Sequence, residues 1–229
     1  MGVRITGISS MATKKVLADL CAPYQQRSGH TVAIVSVGGV DAAKRVDAGE
    51  AFDAVFLAAN AIDKLIAAGR VVAGSRVDLV RSGVSVAVRA GAPRPDISTE
   101  DAVKQAVRAA KTLSYSTGPS GVHLVKLFER WGLFDEIKPR IVQAPPGVPV
   151  GSLVAKGEVE LGFQQLSELM FLQGIDVIGP LPDAIQIITV FSGAVCANAK
   201  DADAARAMLA YMASPEAAQV KQRNGMEPA

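Results

Sequence analysis

The chain has 229 residues, 49% of them apolar, and its 24 basic and 22 acidic side chains give a formal charge of +2. This composition supports one large or two small globular domains and excludes low-complexity disorder. The near-neutral charge argues against a nucleic-acid partner, and no apolar stretch is long enough to cross a bilayer. Cys21 and Cys196 are too few for a zinc site or a disulfide scaffold. We interpret them as two buried thiols, with one long-range disulfide as the alternative.

The first predicted strand, Val3–Ile8, begins close to Met1, and no charged and apolar leader precedes it. Two interpretations stay open at this point. The protein is cytoplasmic, or it is the mature form of an exported protein whose Met1 was added by cloning.

Strand and helix patterns alternate at short spacing, which favours an α/β fold with a largely parallel sheet. Asp41 is predicted to cap a helix, and Gly69 to end one. In the first third we predict strands at Val3–Ile8, His30–Val37 and Ala54–Ala58, and helices at Ala12–Arg27, Asp41–Ala48 and Ala61–Ala68.

The same patterns continue through the rest of the chain. Ser214 is predicted to cap the last helix, with Pro215 in its first turn. The predicted strands are Val84–Arg89, Leu113–Tyr115, Arg140–Gln143, Val159–Phe163, Asp176–Ile178 and Ile185–Val195. The predicted helices are Ser98–Ala110, Val122–Trp131, Val150–Ala155, Gln165–Phe171, Asp201–Met212 and Glu216–Arg223.

Two extended segments, Val77–Arg89 and Pro182–Phe191, bracket the middle of the chain. If both cross between lobes, residues 1–80 and 190–229 form a discontinuous first lobe, and residues 81–189 form the second. Two α/β lobes joined by two extended crossings are typical of a protein that closes around a ligand by a hinge. We therefore expect a ligand cleft between the lobes.

Four strand-to-helix turns combine small residues, hydroxyl groups and glycines. A helix start exposes unpaired N–H groups and about half a positive charge, and small residues let an anion approach that backbone. One such turn alone is typically only a helix cap, but four of them divided between two lobes indicate an anion site. The four turns are Ile8–Met11, Val35–Gly39, Tyr115–Gly121 and Pro146–Val150. The residues predicted to bind the ligand from these turns are Ser9, Ser10, Met11, Ser36, Gly38, Gly39, Thr117, Ser120, Gly121 and Val148.

A few other polar residues are candidates. Gln164 and Gln165 end a buried strand, where amides need partners, and either contacts a ligand or bonds internally. His123 lies in the first turn of a helix; it is a candidate acid/base if the protein is an enzyme, and an ordinary solvated histidine otherwise. Glu168 is interpreted as a solvated helix residue. Nucleophile-elbow, phosphate-loop and zinc-protease motifs are missing, so we expect neither a cofactor nor a metal site.

Several segments resemble the periplasmic molybdate-binding protein family, which are type II solute-binding proteins of ABC importers. The resemblance spans nearly the whole chain. The segments that resemble the family are Ile5–Ser10, Asp47–Leu57, Val86–Thr99, Val154–Gly162 and Ala213–Ala218.

The resemblance implies two Rossmann-like α/β lobes joined by two hinge crossings, the type II periplasmic binding protein fold, in a mature periplasmic protein. In this family hydroxyl groups and backbone N–H groups hold an oxyanion. By position, the implied ligand residues are Ser9, Ser10, Ser36, Asn60, Ser120, Gly121 and Val148.

One departure from the family concerns the ligand. Molybdate binders usually place a tyrosine after the strand that matches Leu161–Phe163, whereas this chain has Gln164 and Gln165 there. An amide both donates and accepts, which suits a carboxylate better than a tetrahedral oxyanion. One branch of the superfamily, the aconitate isomerases, moves a proton along an unsaturated tricarboxylate.

The leading hypothesis is therefore a monomeric solute-binding protein that captures a small anion, an organic acid or an oxyanion such as molybdate, for the membrane subunits of an ABC importer. The alternative is an enzyme resembling aconitate isomerase that interconverts cis- and trans-aconitate. A cytoplasmic ligand sensor ranks last, because the chain has no residues to spare for a DNA-binding segment.

Overall fold

The computed structural model describes residues 2–145 and 147–229, so Met1 and Pro146, the latter in the fourth predicted turn, lie outside the described residues. The chain divides into two compact units. Unit 1 consists of Met1–Ser82 and Val190–Ala229, and unit 2 of Gly83–Thr189. From the sequence, the first lobe was predicted at residues 1–80 and 190–229, and the second lobe at residues 81–189.

Strands and helices alternate along both units. The strands are β1 (Arg4–Ser10), β2 (Thr31–Val37), β3 (Ala54–Ala58), β4 (Val77–Arg89), β5 (Leu113–Tyr115), β6 (Leu161–Gln165), β7 (Ile175–Pro180), β8 (Ile188–Val195) and β9 (Glu227–Pro228). The helices are α1 (Lys14–Ser28), α2 (Gly39–Asp47), α3 (Ala59–Ala67), α4 (Glu100–Ala109), α5 (Pro119–Arg130), α6 (Phe134–Ile137), α7 (Val150–Lys156), α8 (Leu166–Leu169), α9 (Ala202–Ala213) and α10 (Ala218–Arg223).

In unit 1, β1 pairs in parallel with β2 and β3, while β3 pairs antiparallel with β8. The sheet is buried on both faces, as β3 shows. Phe56 packs in the core that contains residues of α1 and α9, whereas Val55 and Leu57 pack in the core that contains residues of α2 and α3. Successive side chains of β3 therefore point into two different cores, which explains why its sequence is a continuous apolar run.

In unit 2, β5 and β6 run parallel, and β4 pairs antiparallel with β6 and β7. One core lies between these strands and helices α4 and α5, with Phe163 and Phe128 at its centre. On the other face α7 approaches β6 closely. A Cβ atom at Gly162 would lie 2.6 Å from Val154, so the glycine allows this approach.

Asp53 connects separate segments of unit 1. Its carboxylate accepts hydrogen bonds from the backbone and hydroxyl of Thr6 and from the backbone of Lys200 and Asp201, at 2.7–3.1 Å. Burial pushes the pKa of Asp53 upward, but these hydrogen bonds outweigh burial and hold the pKa below its ordinary value. Asp53 is therefore a structural residue of the segment that resembles the family.

The prediction of two buried thiols is confirmed. Cys21 and Cys196 are buried and not bonded to each other. Burial raises the pKa of both thiols to about 12, which makes them inert as nucleophiles near neutral pH. No helix in the described parts of the chain is both long enough and apolar enough to span a membrane.

Several local predictions are wrong. The sheets are mixed rather than largely parallel, because the orientation of β4, β7, β8 and β9 depends on partners distant in sequence. Asp41 does not cap α2, because that helix begins earlier, with Gly38 at its N-cap. The strand predicted at Arg140–Gln143 is absent from this described segment; a 3-10 helix covers Lys138–Arg140, and only Ile141 forms a bridge, to Leu113.

Two errors concern the ends of elements. Gln165 belongs to β6 rather than to the helix after it, and that helix, α8, is shorter than predicted. Ser214 occupies an N-cap position, but its hydroxyl donates to the carbonyl oxygen of Tyr211 and does not cap. At Gln165 the local pattern was compatible with a strand or a helix, and pairing with Val84 of β4 decided it.

Candidate functional site

In unit 1, the carboxyl ends of the parallel strands β1, β2 and β3 lie at one edge of the sheet. Ligands of open α/β sheets typically bind at such edges. The strand register pairs Ser9 with Ser36, and their hydroxyl oxygens are 2.8 Å apart. Ser9 is fully buried. The predicted ligand residues Ser9 and Ser36 are therefore in direct contact.

Ser10 extends this group of hydroxyls. Its hydroxyl lies 3.5 Å from that of Thr13, which itself donates to the backbone oxygen of Ser10 at 3.2 Å. The start of α2 is close, because a Cβ atom at Gly39 would lie 3.5 Å from the Cβ atom of Ser10. We refer to Ser9, Ser10, Thr13 and Ser36 as the serine cluster.

The Ser10 hydroxyl is not used as a helix cap. Ser10 is the N-cap residue of the 3-10 helix Met11–Thr13, but its side chain makes no capping hydrogen bond. By contrast, the Thr99 hydroxyl caps α4 by accepting from the backbone N–H of Ala102 at 3.1 Å. The capping explanation that is typical of single turns therefore does not account for Ser10. The N-cap residues after the other three predicted turns have no hydroxyl group and are Gly38, Gly118 and Pro149.

The remaining predicted ligand residues of unit 1 lie at the same strand ends. Met11 and Gly38 are half-buried, next to the serine cluster in sequence. Asn60 is exposed in the first turn of α3, which directly follows β3.

In unit 2, the parallel register pairs Tyr115 of β5 with Phe163 of β6, which places Ser116 beside Gln164 at the strand ends. The Ser116 hydroxyl lies 3.3 Å from that of Ser120 in the first turn of α5. Thr117, in the same turn, is exposed. We refer to Ser116, Ser120, Gln164, Gln165 and Glu168 as the polar edge.

Gly121 makes the turn after β5 possible. A Cβ atom at this position would lie 1.8 Å from the backbone oxygen of Ser116, far inside any allowed contact. The glycine thus lets the first turn of α5 fold back against the end of β5. This geometry presents the first-turn N–H groups, which have no acceptor within the helix, beside Ser116 and Ser120.

The two glutamines at the end of β6 are 2–3% exposed, and both are hydrogen-bonded. Gln164 Oε1 accepts from the backbone N–H of Val150, the first residue of α7, at 2.8 Å. Gln165 Nε2 donates to the hydroxyl of Thr189 at 2.9 Å. Val148, just before α7, is exposed.

Glu168 differs from its interpretation as a solvated residue. It is half-buried in α8, which directly follows β6, and the side chain of Gln164 in β6 is hydrogen-bonded to it. Desolvation by burial raises the pKa of Glu168 to about 7, although the hydrogen bond from Gln164 acts in the opposite direction. A carboxyl group that exchanges its proton near neutral pH therefore belongs to the polar edge.

His123 lies on α5 and is exposed. The sequence analysis favoured His123 as the candidate acid/base and interpreted Glu168 as a solvated residue. The signal that favours Glu168 was its position in the first turn after a strand that ends in two buried amides.

A cavity of about 490 Å³ in unit 2 lies away from the polar edge. Its lining includes Val88, Arg89, Pro93, Ala106 and Leu161, and none of the predicted ligand residues.

Comparison with known proteins identifies the family of this chain. Residues 5–227 match the family described as bacterial extracellular solute-binding protein. The chain belongs to this family. It is also 40% identical to aconitate isomerase of a Pseudomonas species, over 98% of this chain and 87% of that protein. Identity to the molybdate-binding protein ModA of Azotobacter vinelandii is 29%, over 89% of this chain and 82% of the relative.

The fold of this family member is shared by solved structures with little sequence identity. The sulfate-binding protein SubI of Mycobacterium tuberculosis superposes with a TM-score of 0.81 at 16% identity, over 99% of this chain and 87% of that one. The resemblance to type II solute-binding proteins of the molybdate-binding kind is therefore confirmed.

Proposed function

We propose that this solute-binding family member is an enzyme that interconverts cis- and trans-aconitate. The observation that supports this most is the 40% identity to aconitate isomerase along almost the whole of both chains, well above the 29% identity to the molybdate-binding relative. This choice reverses the order of the two hypotheses drawn from the residues alone.

The chemistry of the predicted ligand residues supports a carboxylate substrate. The serine cluster offers hydroxyl groups, and the polar edge offers hydroxyl and amide groups. Such groups donate to a carboxylate and accept from a carboxylic acid, so they suit a ligand with several carboxyl groups. Under this proposal the substrate is bound by the ligand residues predicted from the sequence, which also include Met11, Gly38, Gly39, Asn60, Thr117, Gly121 and Val148.

The proposed reaction is a proton shift along three carbon atoms. One C–H bond of the methylene carbon breaks, the double bond moves by one position, and a C–H bond forms at the carbon that was vinylic. The product has the same atoms and the same oxidation state as the substrate. The protein needs to supply only an acid/base and donors that stabilise the charge on the intermediate.

Capture of an organic acid or oxyanion for an ABC importer is the second candidate. It is favoured by the family match, whose description is extracellular solute binding, and by the oxyanion-binding structural neighbour. For both candidates we propose a periplasmic location and a monomer. The importer candidate additionally requires membrane subunits as partners.

Proton NMR of purified protein with trans-aconitate, and separately with cis-aconitate, tests the proposal. The vinylic proton signals distinguish the two isomers. We expect both samples to reach the same mixture at a rate proportional to protein concentration. Calorimetric binding of one equivalent without turnover would favour importer capture instead. Neither binding nor turnover with aconitates, combined with binding of molybdate or sulfate, would contradict the isomerase proposal.

A further inference from the structure

We propose that Glu168 is the catalytic acid/base that moves the proton between the two ends of the substrate's allylic system. This inference rests on the proposed isomerase function. It assigns the proton transfer to a residue that the sequence did not favour, and it assigns Gln164 as the residue that positions the carboxyl group.

The placement of Glu168 supports the assignment first. Its helix follows β6 directly, so Glu168 lies at the strand ends that also present Ser116, Ser120 and Gln164. Because Gln164 bonds to Glu168 and to the backbone of Val150, the carboxyl group is tied to the start of α7 as well. Glu168 is thus joined to the predicted ligand residues by hydrogen bonds and not merely by sequence proximity.

The surroundings of Glu168 are suited to proton transfer. Its side chain is half-buried, so the carboxyl group is desolvated yet still within reach of a ligand. Helix α8 contacts α7 and β6. The titratable side chain on those two elements is Lys156, which is exposed in the last turn of α7, away from the start that Gln164 contacts. Within the described residues, no basic group forms an ion pair with Glu168.

These surroundings explain the titration. Without a cation to stabilise the carboxylate, desolvation dominates and places the pKa of Glu168 at about 7. A general base is most effective when its pKa is close to the working pH, because enough of it is ionised while it still binds a proton well. Glu168 meets this condition near neutrality.

Gln164 fixes the carboxyl group in one orientation. Its Oε1 is engaged by the N–H of Val150, so its Nε2 is the group that donates to Glu168. This hydrogen bond restrains the orientation of the carboxyl group of Glu168.

The balanced step uses a single base. Ionised Glu168 removes a proton from the methylene carbon, and the electron pair of that C–H bond spreads over the allylic system and its carboxylates. Protonated Glu168 then returns the proton to the opposite carbon, which forms the shifted double bond and regenerates the carboxylate. The two oxygens of a carboxylate are spaced much like the two ends of an allyl unit, so one group serves both ends.

Glu168→Gln is the direct test, because it keeps the size and hydrogen-bonding capacity of the side chain but removes the base. We expect kcat for aconitate isomerisation to fall by about 100-fold or more, while the calorimetric Kd for trans-aconitate changes less than about threefold. Glu129→Gln, a matched change on the exposed face of α5, is expected to retain full kcat.

Two further measurements separate catalysis from a structural role. Wild-type kcat should rise with pH through about 7, because the ionised form is the base, and this step should be lost in Glu168→Gln. With trans-aconitate dideuterated at its methylene carbon, part of the newly formed methylene group of the product should carry deuterium in ordinary water, because one half-buried base returns the nucleus that it removed. The second deuterium stays on the carbon that becomes vinylic in any case, so it serves only as the internal standard. Should Glu168→Gln fail to fold, Glu168→Asp decides, with a lowered kcat and a nearly unchanged KM.

The outcomes distinguish this inference from the proposed function. Wild-type turnover that persists in Glu168→Gln would overturn the role of Glu168 and leave the isomerase function standing. If His123→Ala alone removes turnover, the acid/base is His123 and the assignment is wrong. Absence of turnover in the wild-type protein would overturn both the function and the assignment.

Discussion

The strand ends of unit 1 present hydroxyl groups in contact with one another, whereas those of unit 2 present hydroxyls, amides and one carboxyl group. In the serine cluster, Ser9 and Ser36 lie 2.8 Å apart, and the group contains no side chain that titrates near neutral pH. In the polar edge, Gln164 is bonded to Glu168, whose pKa is about 7. Both groups follow parallel strands of the same α/β design, so the backbone arrangement alone does not explain the difference.

The same fold element can therefore serve two chemical tasks. A set of uncharged donors binds an anion without exchanging protons with it. Adding a desolvated carboxyl group provides a group that can react as well as bind. We therefore expect changes in unit 1 to alter affinity, and changes in the polar edge to alter turnover as well.

The largest effect is expected from Gly121→Ala in unit 2. The new Cβ atom would lie 1.8 Å from the backbone oxygen of Ser116, so the first turn of α5 would have to move. We expect the free energy of unfolding to fall by about 3 kcal/mol or more, because backbone atoms cannot yield as a side chain can. Urea denaturation followed by circular dichroism measures this change.

Gly118→Ala is the matched control for Gly121→Ala. Its Cβ atom would make an ordinary contact of 3.6 Å with the Ser116 hydroxyl, and its backbone has a negative φ of −77°. We expect its stability to be close to that of the wild type. Equal destabilisation by both changes would contradict the close approach of α5 to Ser116.

The next effect is expected at Asp53, which connects separate segments of unit 1. Asp53→Asn removes the charge that accepts from Thr6, Lys200 and Asp201, and we expect a loss of roughly 2 to 3 kcal/mol in the free energy of unfolding. Urea midpoints of the wild type and the variant at pH 7 measure this loss.

The pH dependence of the Asp53 contribution has a definite sign. Its pKa is lower in the folded protein than in the unfolded chain, so its stabilisation is present above about pH 4 and is lost as the pH falls through the folded pKa. The difference between wild type and Asp53→Asn should therefore shrink on acidification. A difference that grows at low pH would contradict the depressed pKa.

The smallest effects are expected from single hydroxyls. Ser10→Ala and Ser120→Ala should each weaken binding of trans-aconitate by roughly 1 to 3 kcal/mol, the usual scale for removing a partner of a charged acceptor. Calorimetry measures the Kd, and thermal unfolding without ligand serves as the control for folding. Unchanged affinity in both variants would show that the ligand site is assigned incorrectly.

Some features of the fold and of the candidate site were predictable from the sequence, and others were not. β3 and β5 were predicted at their observed bounds, because short apolar runs between turn residues leave few alternatives. Two similar turns predicted Ser9 and Ser36 as ligand residues, but the contact between them became evident only from the strand register. The bond between Gln164 and Val150 was not predicted, since nothing local indicates which backbone group a buried amide will meet.

By itself, the sequence determined the alternation of strands and helices, the buried thiols and the family, because local apolar periodicity, turn residues and segment order are properties of neighbouring residues. Only the tertiary structure decided the strand directions, the close approach permitted by Gly121 and the protonation behaviour of Glu168. Each of these depends on which distant groups surround a residue, and desolvation in particular arises from atoms that the local sequence does not contain.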